Sequence, residues 1–213
     1  MIHEEDNWCT IIPSNVCLFK CELGDTAINY LHGLIEKAKT KPGQTSFKPT
    51  LAGNIQESII LEDDNGYLFD NHLSYAAYKF VEENSHRAIQ HSKGKKLKLD
   101  SLWVNFQNKH DFNPVHFHNA ILSFVIWMKI PTHYEDQYRL PIAANSNNPS
   151  ASDFEFLYTN ILGEIERMDV KMSPEMEGTL MLFPSTLMHQ VYPFYDTDEQ
   201  RISIAGNIII DNG

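Results

Sequence analysis

From residue 97 onward the chain is cut into short apolar pieces separated by Gly, Pro, Asn and Ser, and no other feature restricts its fold as much. The pieces are Leu97–Phe106, Val115–Ile130, Phe154–Tyr158, Ile161–Ile165, Gly178–Phe183, His189–Tyr192 and Arg201–Ile210. They lack the 3.6-residue recurrence of an amphipathic helix. Short strands joined by turns bury their apolar sides only against another sheet, so about 115 residues should form an antiparallel β-sandwich or barrel. Val115–Ile130 is interrupted by His116, His118, Asn119 and Ser123, and residues 131–152, rich in Asn, Ser and Pro, read as irregular.

The first 95 residues differ. Residues 1–15 are polar and read as a surface arm. Val16–Leu23 alternates loosely and predicts a strand that ends at Gly24. Asp25 or Thr26 can cap a helix with Ile28, Leu31, Leu34, Ile35 and Ala38 on one stripe, stopped by Lys41-Pro42-Gly43. Residues 42–58 predict a loop, and Asp63–Gly66 an acidic turn. A long helix over 68–91 would bury Phe69, Leu73, Ala76, Ala77, Phe80, Val81 and Ala88, with the basic run Lys93–Lys98 as its solvated exit. The expectation is a single domain, 1–213, of mainly β (α+β) class, with supporting elements in 1–95 and a β-core in 96–213.

Composition narrows the partners. Seventeen Lys+Arg against 28 Asp+Glu give a net charge of −11, which argues against nucleic acid or an anionic membrane surface. A cationic peptide, basic side chain or small amine is electrostatically easier. No apolar run approaches the ~20 residues of a membrane helix, and Met-Ile-His-Glu-Glu-Asp is no signal peptide. The three cysteines, Cys9, Cys17 and Cys21, form no CxxC pair and read as thiols of a reducing compartment. The expectation is a soluble, cytoplasmic protein.

Ten histidines are present, of which His3, His32, His72, His86, His91, His110 and His133 sit in polar or helical contexts that suit surface or capping imidazoles. His116-Phe117-His118 differs. On a strand, residues i and i+2 share a face, so two imidazoles would stand side by side at the opening of an apolar segment. About half an HxH pair is expected by chance at this composition, so the context gives the motif its weight. An apolar segment is a costly place for unpartnered polar groups. His189, after the apolar stretch Gly178–Phe183 and a Pro184 turn, could supply a third ligand, and such a set suits iron, zinc or copper. Arg201 and Ser203 would share a strand face and could grip a carboxylate, while Gly206 would allow close packing on a neighbouring strand.

The run from Trp103 to Ile210 resembles the iron(II)/2-oxoglutarate-dependent oxygenases. It is most similar to a small bacterial and phage branch with a Trp-x-Asn strand, an HxH strand, a Gly-x-Leu-x-x-Phe-Pro-x-x-x-x-His segment and a following Arg-x-Ser. The resemblance covers about half the chain. It implies a double-stranded β-helix (jelly roll, cupin-like) core buttressed by N-terminal helices. It implies iron(II) on His116, His118 and His189, with 2-oxoglutarate as co-substrate and Arg201 and Ser203 on its distal carboxylate. Asn105 is placed like an Asn that touches the co-substrate in relatives acting on alkylated bases, and Gln107 stands where those relatives have Tyr. The implied reaction joins O2, 2-oxoglutarate and a small-molecule or peptide substrate, giving a hydroxylated product, succinate and CO2.

Three departures accompany it. His118 stands where most of the superfamily has a carboxylate, although the branch shares it, and Asp111 is an alternative source of one. Phe124 replaces a Gly of the branch and Trp127 a Tyr, so both would narrow the substrate pocket. Of Phe106, Phe117, Phe124 and Trp127, most should be core and one or two could line that pocket. Three neutral imidazoles also suit a cupin-type enzyme without 2-oxoglutarate, a thiol dioxygenase or a zinc hydratase, and a non-enzymatic β-sandwich stays open. Residues 42–58 and 131–152 are candidate lids.

Overall fold

The structure, a computed structural model, describes residues 9–11, 15, 17–41, 43, 45–50, 52–84 and 86–212. Most of the expected arm, His3, Val16, Pro42 and the burial of Ala88 lie outside the described residues. The strands are β1 (Phe19–Glu22), β2 (Glu57–Ile60), β3 (Leu97–Gln107), β4 (Asn113–His116), β5 (Leu122–Lys129), β6 (Phe154–Thr159), β7 (Ile165–Val170), β8 (Thr179–Pro184), β9 (Met188–Val191) and β10 (Arg201–Ile210). They form a six-stranded sheet, β1-β8-β5-β10-β3-β2, and a four-stranded sheet, β4-β9-β6-β7, with antiparallel neighbours throughout. The helices are α1 (Asp25–Thr40), α2 (Ser74–Glu83), α3 (Arg87–Gln90) and α4 (Tyr134–Arg139). The expected jelly-roll core with N-terminal supporting helices is what the chain forms.

Two-residue alternation divides the large sheet into two faces. Leu102, Val104 and Phe106 of β3, Leu122, Phe124 and Ile126 of β5, and Ile204 and Ile208 of β10 pack with Leu31, Leu34 and Ile35 of α1 and Phe80 and Val81 of α2. Their strand neighbours face the small sheet instead, where Val125, Trp127, Met181 and Phe183 meet Phe154 and Phe156. Each buried Leu, Ile or Phe contributes about 1.5–3 kcal/mol. A one-residue slip of β10 would bury Arg201 among the helices and turn Ile202 and Ile204 inward, so this alternation fixes the register that presents the site.

Several expected boundaries move. The helix over 68–91 is broken: a π-turn at Phe69–Leu73 leads into α2, which stops at Asn84. Asn84 is buried in extended backbone, its carboxamide accepting from the His86 amide at 2.8 Å and donating to Cys17 Sγ at 3.0 Å, and the helix resumes at Arg87. α1 begins after Gly24 with no side-chain cap. Residues 57–60, assigned partly to a loop, form β2 on the edge of β3. The expected strand at 161–165 is a turn held by Asn160 Oδ1, which accepts from the Leu162 and Glu164 amides, and β7 starts at Ile165. Within 131–152 lies α4, whose cap is His133 accepting from the Glu135 amide at 3.3 Å. The run Val115–Ile130 is cut in two because β4 belongs to the small sheet and β5 to the large one.

Candidate active site

The crossing between β4 and β5 creates the site. His116 ends β4 and lies opposite His189 of β9 in register. His118 lies beyond the end of β4, so the two histidines do not share a strand face as expected. It is fixed by its own amide, which donates to the Ser185 carbonyl at 2.8 Å. The rings nevertheless converge, with centroids 4.3 Å apart for His116 and His189 and 5.2 Å for each pair involving His118. One nitrogen from each lies within 4.8 Å of the others, and no carboxylate joins the group among the described residues. Asp111 is buried with Oδ2 accepting from the Gln56 and Asn108 amides at 3.3 and 3.0 Å, a loop-capping position.

The donor set suits a divalent ion. His116 Nδ1 lies 2.7 Å from the Pro114 carbonyl and His189 Nδ1 2.9 Å from the Leu187 carbonyl. Carbonyls only accept, so Nδ1 of each ring carries the proton and Nε2 keeps its lone pair. Burial holds His118 down to about 4 and His189 to about 3, the neighbouring imidazoles adding to it. Burial also lowers His116. The three rings are neutral at pH 7, the state a metal ligand needs. Phe154 stacks on His189 at 5.6 Å and Phe183 meets its edge at 5.1 Å, which fixes the ring and keeps it dry.

A cavity of about 150 Å³ opens beside these rings and also reaches Arg201, Ser203, Asn105 and Gln107. Arg201, at the start of β10, is 2% exposed. One terminal nitrogen donates to the Ser152 carbonyl at 2.8 Å and to the Ser152 hydroxyl, the other to Gln107 Oε1 at 3.5 Å, and the guanidinium lies 5.0 Å over the Phe194 ring. Among the described residues its Nε–H has no hydrogen-bond partner and no carboxylate is ion-paired with it, Asp153 acting on it through charge alone. Burial lowers it to about 10, so it is a cation at neutral pH. A buried cation without an ion-paired carboxylate is costly; Asp153 offsets part of that cost, and an anion bound in the cavity would relieve the rest. Gln107 pairs with Arg201 across β3 and β10 and donates to the Asp111 carbonyl at 2.7 Å. Asn105 pairs with Ser203, and its Oδ1 accepts from the Ser58 hydroxyl at 2.8 Å. Trp127 stands on the cavity side of β5. Phe124 borders the cavity, but its ring belongs to the helix-side core and lies over Gly206.

Sequence reasoning missed Ser152, which holds Arg201 from a left-handed backbone conformation (φ 79°) and whose Oγ is 3.3 Å from Thr132 Oγ1. No motif marks it. It also missed Phe47, which stacks on Trp103 at 4.3 Å and walls the cavity with Ala52 and Ile55. Of the two candidate lids, 42–58 therefore borders the cavity. Residues 131–152 contribute no lining and instead brace the far side of Arg201.

Comparison with curated protein sequences gives no match. Solved structures of the same fold include a Pseudomonas putida prolyl-4-hydroxylase, at 14% identity and TM-score 0.54 over 92% of this chain and 94% of that one. They include SnoK, an α-ketoglutarate-dependent carbocyclase from nogalamycin biosynthesis, at 10% identity and TM-score 0.57 over 92% and 80%. They also include a 2OG-Fe(II) oxygenase family oxidoreductase from Burkholderia pseudomallei, at 12% identity and TM-score 0.51 over 91% and 86%. At these identities the likeness establishes the fold. The sequence model of the family described as "Putative 2OG-Fe(II) oxygenase" matches residues 101–207, the stretch that holds both the histidine cluster and Arg201. The chain belongs to the 2OG-Fe(II) oxygenase family, whose cofactors are ferrous iron and 2-oxoglutarate.

Proposed function

We propose that this protein is a 2-oxoglutarate-dependent dioxygenase that hydroxylates a small-molecule or peptide substrate and releases succinate and CO2. One observation carries the reading: three neutral imidazoles and a buried guanidinium without a carboxylate partner line the same cavity. His116, His118 and His189 would hold the iron. Iron and 2-oxoglutarate supply the oxygen chemistry, coupling decarboxylation of the co-substrate to oxidation of a C–H bond.

The chain's own residues bind, orient and exclude water. The Pro114 and Leu187 carbonyls hold two imidazoles with their lone pairs free. Arg201 would present its charge to the distal carboxylate, with Ser203 beside it on the same face of β10. Asn105 and Gln107 complete that end of the cavity, Gln107 by also bonding the guanidinium. Three neutral ligands leave the centre one unit more positive than a set with a carboxylate, which favours an anionic co-substrate. Trp127, Phe154 and Phe183 wall the site and keep the local dielectric low. Among the described lining residues there is no Asp, Glu, Lys or Tyr, which agrees with a reaction that needs no side-chain acid or base. The P. putida neighbour is named a prolyl hydroxylase and SnoK a carbocyclase, so this fold serves more than one outcome. Hydroxylation asks least of such a cavity.

Calorimetric titration of 2-oxoglutarate into metal-loaded protein tests the reading. Binding is expected, falling at least tenfold in Arg201→Ala with metal content unchanged. Succinate release should require both iron(II) and 2-oxoglutarate. Absence of 2-oxoglutarate binding would overturn it. A three-histidine enzyme working without 2-oxoglutarate shares the metal set, and its activity would be indifferent to Arg201→Ala.

A further inference from the structure

Among the described residues, the non-glycine positions with left-handed backbone are Asn65, His110, Ser152 and Asp196. Asn, His and Asp enter that region several times more readily than other side chains, and all three here are exposed. Ser152 lacks both features: it is 0% exposed and has no such preference, yet it takes φ 79°. In this region a β-carbon crowds the backbone carbonyl, a strain that glycine avoids. Such strain persists only where surrounding contacts over-determine it, and it gathers at sites where it serves function.

Those contacts are explicit. The Ser152 amide donates to the Pro193 carbonyl at 2.9 Å, and the Asp153 carbonyl accepts from the Tyr192 amide at 2.9 Å, so this backbone is locked onto the chain that follows β9. The lock aims the carbonyl and the hydroxyl of Ser152 at one terminal nitrogen of Arg201, which donates to each. It also leaves Ser152 Oγ 3.3 Å from Thr132 Oγ1. Glycine at this position would keep the carbonyl bond and shed the strain, so the hydroxyl is what serine adds.

An arginine side chain has many rotamers, and each must be selected by contacts. Gln107 Oε1 at 3.5 Å and the Phe194 face at 5.0 Å restrain the guanidinium loosely. The paired bonds to Ser152 hold it closely. Resting on the 2-oxoglutarate reading, we propose that Ser152 is a positioning residue for the co-substrate: its hydroxyl, aimed by the left-handed backbone, sets where the Arg201 charge stands to receive the distal carboxylate. Ser152 is not among the cavity-lining residues and acts through Arg201.

Two variants separate this role from a structural one. Ser152→Ala and Ser152→Gly both remove the hydroxyl, but only alanine keeps the strained β-carbon. Ser152→Gly should therefore melt about 2–4 °C above Ser152→Ala. Titrated as the zinc-loaded full chain, both should bind 2-oxoglutarate about threefold to tenfold more weakly than wild type, to the same extent and with zinc affinity unchanged. In iron(II)-dependent succinate release, KM for 2-oxoglutarate should rise by the same factor while kcat stays within about twofold. In an Arg201→Ala background, Ser152→Gly should cost no further affinity. The proposal is overturned if Ser152→Gly binds 2-oxoglutarate as wild type does, if the loss follows melting temperature across the two variants, or if it persists in the Arg201→Ala background. If 2-oxoglutarate does not bind the wild-type chain, the parent reading has failed and this inference falls with it.

Discussion

Arg201 is where a single neighbouring charge can be tuned without touching the metal ligands. Asp153 is the anion acting on it. Burial, reinforced by the charge of Asp169, raises the Asp153 carboxyl to about 6, while the Tyr138 hydroxyl bonded to it and the Arg201 charge pull the other way. At neutral pH Asp153 is ionised and offsets part of the guanidinium's field. Below about 6 it is protonated, and the full cationic charge faces the cavity. The affinity of metal-loaded protein for 2-oxoglutarate should therefore rise as pH falls from about 7.5 to 5.5. Asp153→Asn should flatten that dependence, staying tight across the range, and titration calorimetry at the two ends decides it. The roles of residues were unequally legible in the sequence. His116, His189, Arg201 and Ser203 stood out as polar groups set into apolar strands, where spacing carries meaning. Ser152 and Asp153 did not, because their link to Arg201 spans nearly fifty residues and exists only once the two segments are folded together.

At the scale of elements, β10 sets the geometry, because its alternation sends Arg201 and Ser203 to the cavity and Ile204 and Ile208 to the helices. Gly206 is what lets it lie flat there. A β-carbon at that position would meet Phe124 Cζ at 2.5 Å and the Ser101 carbonyl at 2.8 Å. Gly206→Ala should destabilise the fold by about 1–3 kcal/mol in chemical denaturation. Adding Phe124→Leu should recover only part of that, since the backbone carbonyl of the neighbouring strand cannot move aside. Strands with this clear two-residue pattern were readable in advance, as was α1 from its single stripe. The break in 68–91 was not, because the residues on both sides keep helical spacing. What stops α2 is a tertiary contact, Asn84 reaching Cys17 across 67 positions. β2 was hidden for a similar reason: four residues become a strand only by pairing with β3.

In the whole molecule, the two halves of the site belong to different sheets. His116 and His189 sit on the paired strands β4 and β9 of the small sheet, and Arg201 and Ser203 on β10 of the large one. A metal ion held by the histidines ties β4 to β9 but does not link the sheets. A dicarboxylic acid reaching from the ion to Arg201 would. Anything that binds only the folded state stabilises it by mass action, about 2.7 kcal/mol at a hundredfold excess over Kd. In a chain of this length that is roughly 5–10 °C in Tm. Zinc alone should give one such increment and 2-oxoglutarate a second, with EDTA removing both, because the co-substrate depends on the ion for its other end. Arg201→Ala should keep the zinc increment and lose the second. If the variant keeps both, the acid is seated on some group other than the guanidinium, and the link between sheets runs through a different strand.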